Sequence, residues 1–160
     1  MEMDGNLFRS VMGSFATGVT IVTTRDAEDN SYAVTVNSFT SLSLNPPLVL
    51  FCLDNLLAGL QIFLDSRRFA INILSQDQET VSHDCATRGS DRSEWLTDGG
   101  VFGLPVVKNP LALIECELLE TYPGGDHTIL IGEVQHLSLS PKIDEDQPLL
   151  YYRGRYLELA

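Results

Sequence analysis

The sequence predicts a mainly β protein, a closed antiparallel barrel with two or three helices set on its outside. Three observations lead there. Most apolar runs are short and rich in β-branched residues, the connections between them are of hairpin length, and few stretches carry helical spacing, so β-α-β alternation is excluded. At 160 residues, with 44% hydrophobic and 20% charged residues, the chain has ordinary globular composition and is read as one domain, 1–160.

In chain order, a short helix is expected around Asn6 to Met12, followed by strands "GVTIVTT" (18–24) and "SYAVTVN" (31–37) joined by the charged turn "RDAEDN". Strands "PLVLFCL" (47–53) and "RFAINIL" (68–74) come next. Between them Leu56, Leu57, Leu60, Phe63 and Leu64 recur at i, i+1, i+4, i+7 and i+8, which predicts an amphipathic helix over 55–65. Ser75 with Gln78 is a capping-box pattern, opening a second helix through about Ala86. In "LALIECELLETY" Ala112, Ile114, Cys116 and Leu118 fall on one face and Glu115 and Glu117 on the other, as in a half-buried strand. "HTILIGEVQHLSL" follows the turn "PGGD", and "LLYYRGRYLEL" folds back on itself at "RGR".

The stretch "AVTVNSFTSLSLNPPLVLFCL" (33–53) interrupts this regularity with Thr35, Ser38, Thr40, Ser41 and Ser43. Asn45 and Pro46 each precede a proline, and neither Pro46 nor Pro47 can donate to a ladder, so residues 38 to 46 are expected to leave the sheet. Such a segment is either a hydrated surface loop or a ligand cradle. Phe39, Leu42 and Leu44 between the hydroxyls give the cradle its argument.

Composition removes other classes. A formal net charge of −12 with only two lysines argues against nucleic acid as a partner. No apolar run reaches the roughly 20 residues of a membrane helix, and "MEMDGNLFRS" has no basic leader followed by an apolar core, so a soluble, cytoplasmic protein without membrane association is expected. Cys52, Cys85 and Cys116 have no metal-ligand spacing, and no metal is expected. His83 and Cys85 lie two apart on a predicted helix and do not face each other, which disfavours a nucleophile–base pair. "GGVFG" (99–103) neither follows a strand nor opens a clear helix, so no Rossmann site is expected.

"FRSVMGSFATGVTIVTT", "TVNSFTSLSLNPPLVLFCLDN", "FAINIL", "GGDHTILIGEV" and "PLLYYRGRY" stand in an order that resembles the flavin reductases of the FMN-binding split-barrel type, from Phe8 to Tyr156. The resemblance implies a split antiparallel β-barrel with two or three peripheral helices, and a reductase that moves hydride from NADH or NADPH to FMN or FAD. It also implies a homodimer and a separate flavin-dependent monooxygenase that receives the reduced flavin. Carried over residue by residue, it implies cofactor contacts at Asn37, Ser38, Phe39, Thr40 and Ser41, then at Leu53, Asp54 and Asn55 towards the flavin phosphate, with Phe69 and Ala70 completing the wall. The N-terminus of the 55–65 helix would lie beneath that phosphate. His127 is the implied catalytic residue, placed over the flavin face to position the nicotinamide, with Phe15, Thr17, Tyr152 and Arg153 as further nicotinamide walls.

The chain departs from the family at "LLAGL" after "CLDN", where relatives carry Ser or Thr, and no Lys or Arg occurs between Arg25 and Arg67. Helix amides, Arg67 or Arg68 are left to hold the phosphate. The departure also motivates the alternative of a flavin-binding, or flavin-less, split-barrel protein with a repurposed biosynthetic or interaction role. The scarcity of basic residues favours NADH over NADPH, because a 2′-phosphate usually takes an arginine.

Overall fold

The computed structural model describes residues 3–159. In chain order its strands are β1 (Thr17–Gly18), β2 (Thr20–Arg25), β3 (Ser31–Val36), β4 (Thr40–Leu44), β5 (Pro47–Asp54) and β6 (Arg68–Ile73), then β7 (Leu96–Thr97), β8 (Val106–Val107), β9 (Ala112–Gly124), β10 (His127–Leu139), β11 (Leu150–Tyr152) and β12 (Arg155–Leu157). The helices are α1 (Gly5–Met12), α2 (Leu60–Ser66) and α3 (Glu79–Ala86).

Seven strands form one antiparallel sheet in the order β3-β2-β6-β9-β10-β5-β4. Its two outer strands are not paired with each other among the described residues; the three-residue connection Asn37–Phe39 carries the chain from β3 to β4. The barrel is therefore split at that point and not closed by a ladder, as the family resemblance implies and as the strand pattern alone does not.

One expectation about this segment fails. Residues 40–44 do not leave the sheet but form the edge strand β4, with Thr40 opposite Leu50 and Leu44 opposite Pro47. Both prolines are tolerated because Pro46 lies in the two-residue turn with Asn45, and Pro47 begins the next strand.

Inside the barrel Phe51, Phe63 and Phe69 are fully buried and meet edge to face, Phe51 to Phe69 at 5.0 Å and Phe51 to Phe63 at 6.3 Å between centroids. Alternation along β5 explains this: Val49, Phe51 and Leu53 point inward. A second cluster forms outside the barrel, where Val81 and Cys85 of α3 pack on Ile21 and Ala33. The Thr35 hydroxyl donates to the Ser82 carbonyl at 2.6 Å and ties α3 to β3. The Ser75–Gln78 capping box is present, though its first turn is a 3-10 turn at Gln76–Gln78.

Two further expectations need correction. The 55–65 helix begins only at Leu60, because Asp54 closes a turn by accepting from the Leu56 amide at 2.8 Å, and Leu56 points into solvent. Glu115 is not on a solvated face: the 96–107 segment covers it, and its carboxylate accepts from the amides of Val101 at 2.9 Å and Phe102 at 3.2 Å. Cys85 and Cys116 are buried in the core, and burial raises their thiol pKa values to about 11 and about 12.

Gly132 in β10 has no room for a side chain, since a Cβ there would lie 2.5 Å from Phe69 Cζ and 2.9 Å from Cys116 Cβ. Gly132→Ala is expected to lower unfolding stability by about 1–3 kcal/mol through overpacking of the aromatic centre. Urea unfolding checks this, and an unchanged midpoint would show that the barrel interior is loosely packed.

Candidate functional site

The split in the barrel opens onto a groove of about 1070 Å³. Phe15, Ala16 and Thr17 form one wall, Asn37, Ser38, Phe39 and Thr40 the other, and Tyr151 lies at its side. Four of the expected flavin contacts and two of the expected nicotinamide contacts therefore share one cavity.

Local structure explains each wall. Asn37–Phe39 lies between two ladders, so its backbone is not consumed by a neighbouring strand. Ser38 Oγ accepts from the Cys52 amide at 2.9 Å and donates to the Cys52 carbonyl at 3.3 Å, extending the ladder of β4 on β5 past Thr40. Ser38 is thus a structural fastener whose own hydroxyl is largely occupied. Phe39 packs half-buried against the barrel core and floors the groove. On the opposite wall β1 pairs with β11, setting Thr17 beside Tyr151. Thr17 Oγ1 is buried without a hydrogen-bond partner, an orphan hydroxyl in the wall of an open groove. Buried polar atoms are nearly always satisfied, and this hydroxyl is an exception.

Tyr151, and not Tyr152, lines the cavity, because strand alternation turns neighbouring side chains to opposite faces. Tyr152 instead lies under the Arg153 guanidinium, 5.1 Å from its ring centroid. Ser41 is exposed on β4 outside the groove.

The second group of expected residues sits elsewhere. His127 starts β10 opposite Asp54, while Ser38 meets β5 at Cys52 from the other side. Two strand spacings of roughly 4.8 Å and a two-residue offset of roughly 7 Å along β5 place His127 about 12 Å from Ser38, at the same end of the sheet. Asn55 organises this corner: its amide donates to the Asp126 carbonyl at 2.9 Å, its side chain donates to the Gly125 carbonyl at 3.2 Å, and it accepts from the Thr128 hydroxyl at 2.8 Å. Asp126 Oδ1 lies 2.7 Å from His127 Nδ1, and this contact holds the Asp126 carboxyl below its usual range. A carboxylate only accepts, so Nδ1 carries the proton and a neutral ring presents Nε2 as an acceptor.

Other expected contacts lie outside both places. Leu53, Phe69 and Ala70 are buried in the protein core, where their apolar side chains are used for packing. Arg67 caps α2 and its guanidinium donates to the Leu118 carbonyl at 2.8 Å, stapling the helix to β9. Asp54 is exposed and holds its turn, and with α2 starting at Leu60 no helix N-terminus stands next to it. Sequence reasoning also missed Gly13 and Met12 as lining residues; nothing in their types announces it.

Comparison with known proteins shows the family. The flavin reductase like domain matches residues 12–160, and the chain belongs to that family. The reductase subunit HsaB of a flavin-dependent monooxygenase from Mycobacterium tuberculosis is 37% identical over 158 residues, 97% of this chain and 82% of that protein. Among solved structures, the flavin reductase PheA2 superposes with a TM-score of 0.89 at 40% identity, covering 99% of both chains. The NADH:FAD oxidoreductase SgcE6 of Streptomyces globisporus, in complex with NAD and FAD fragments, gives 0.90 at 33% identity over 100% of this chain and 98% of that one.

Thr17→Val removes the orphan hydroxyl while keeping the shape. The expected result is unchanged or slightly raised thermal stability together with ligand affinity weakened about five- to tenfold, as for loss of one hydrogen bond. Equal flavin and nicotinamide affinity in the variant would remove Thr17 from the site.

Proposed function

We infer that this flavin reductase binds its flavin in the groove at the barrel split, with the nicotinamide beside it. The observation that carries the reading is the convergence of Phe15, Thr17, Asn37, Phe39, Thr40 and Tyr151 on one cavity with an unpaired hydroxyl. An apolar floor with few polar groups suits a planar heteroaromatic ring.

FMN or FAD, when bound, takes a hydride from reduced nicotinamide, and the cofactors carry that chemistry themselves. The chain's part is to bind, orient and exclude water. Phe15 and Phe39 offer flat apolar surface, and the free backbone of Asn37–Phe39 with the Thr17 hydroxyl fixes orientation. His127, its Nδ1 held by Asp126, positions the nicotinamide through Nε2. NADH is the preferred donor, and reduced flavin passes to a separate monooxygenase in the cytoplasm.

The working form is a homodimer. α1 buries none of its side chains and leaves Leu7, Phe8, Val11 and Met12 exposed, while Phe15 beyond it is 76% exposed. So much contiguous apolar surface favours coverage by a second copy.

The first test is loss of NADH absorbance with and without FMN or FAD. Rapid oxidation that requires flavin is expected, faster with NADH than NADPH; flavin binding without oxidation of either would contradict the reading. His127→Ala is expected to raise KM for NADH about tenfold with little change for flavin. An unchanged NADH dependence would sink the positioning role of His127.

A further inference from the structure

α1 is amphipathic in an unusual sense. Its polar stripe Asn6, Arg9, Ser10 and Gly13, spaced i, i+3, i+4 and i+7, faces the body of the protein across a groove of about 770 Å³, whose far side is Arg153 and Gly154. Of the apolar residues of α1, Val11 also lines this groove and Met12 lines the larger one, while Leu7 and Phe8 line neither. No side chain of α1 is buried, so packing does not account for the polar stripe on the groove.

Charge sharpens the point. The chain carries 22 acidic and 10 basic residues, yet among the described residues no acidic side chain lines this groove and two of its lining residues are arginines. Among the described residues neither Arg9 nor Arg153 makes a salt bridge, whereas Arg25 and Arg68 are both paired with carboxylates. Arg153 is held in place: its amide donates to the Gly13 carbonyl at 2.9 Å, and its guanidinium stacks on Tyr152. Gly13 belongs also to the larger groove at the split, so the two cavities adjoin.

We propose that Arg9 and Arg153 form a phosphate subsite for the tail of a nucleotide whose ring lies in the adjoining groove. This rests on the flavin reductase reading for the ring but not for the anion. Arginine suits phosphate because its planar fork donates two parallel hydrogen bonds. The subsite supplies the cations missing from residues 26 to 66, where the sequence left the phosphate without a basic partner. Two sources share the chemistry, the diphosphate of the nicotinamide dinucleotide and the phosphate of the flavin.

The test is calorimetric titration of ADP-ribose, FMN and riboflavin into the wild-type protein, Arg9→Gln, Arg153→Asn and the double variant. Asparagine is chosen at 153 because that residue has φ of 49° and asparagine tolerates left-handed backbone. Thermal melts control for folding. Weakening of ADP-ribose by about tenfold per substitution identifies the dinucleotide diphosphate; weakening of FMN with riboflavin unchanged identifies the flavin phosphate. In either case Arg9→Lys retains part of the affinity, and the wild-type affinity falls with ionic strength while the double variant's does not. Unchanged ADP-ribose and FMN affinity in the double variant overturns the subsite. Riboflavin that fails to bind the wild type overturns the ring assignment alone, because ADP-ribose still reads the arginine pair.

Discussion

The two hydrogen bonds between the Ser38 hydroxyl and the backbone of Cys52 decide where this barrel is open. β4 stops pairing at Thr40, and a sheet edge left bare beside the core costs unsatisfied backbone groups. One hydroxyl satisfies both the amide and the carbonyl of Cys52, so the chain can cross from β3 to β4 in three residues without a ladder between them. That crossing is the split, and the groove exists because of it.

Other features take their position from the crossing. Phe39 follows Ser38 and seals the core from the groove, while Thr17 and Phe15 reach the opposite wall because β1 is pinned to β11. The β11–β12 turn then brings Arg153 against Gly13, so the apolar ring site and the basic groove are neighbours by construction. His127 belongs to a separate rigid corner, held by Asn55 and Thr128, and it reaches the site only across β5.

The strands and the order of the sheet's hairpins were legible because alternation along β2, β5 and β9 is a local signal. β4 was not, since prolines read as breakers until one knows that they occupy a turn and a strand start. The early helix start failed for a similar reason. Leu56 and Leu57 fit a helical spacing, yet the carboxylate of Asp54 stops the chain in a turn, and the spacing cannot register a competing hydrogen bond. The residues of the connection and of β1 that line the groove were legible from motif order. Phe69, Ala70 and Leu53 were expected beside the cofactor although their side chains are buried, since an apolar residue beside a cofactor and one in the core look identical in sequence. Tyr151 and Tyr152 differ only by strand parity, and Glu115 looked solvated because alternation assigns it a face without registering that the irregular segment before β9 folds over that face.

Hydrogen–deuterium exchange with and without FMN tests the placement of the ring most directly. The account predicts that protection concentrates at residues 15–20 and 37–40, with the corner at 54–57 and 125–128 changing less. Protection confined to 54–57 and 125–128, with 37–40 unchanged, would contradict it and move the flavin away from the split.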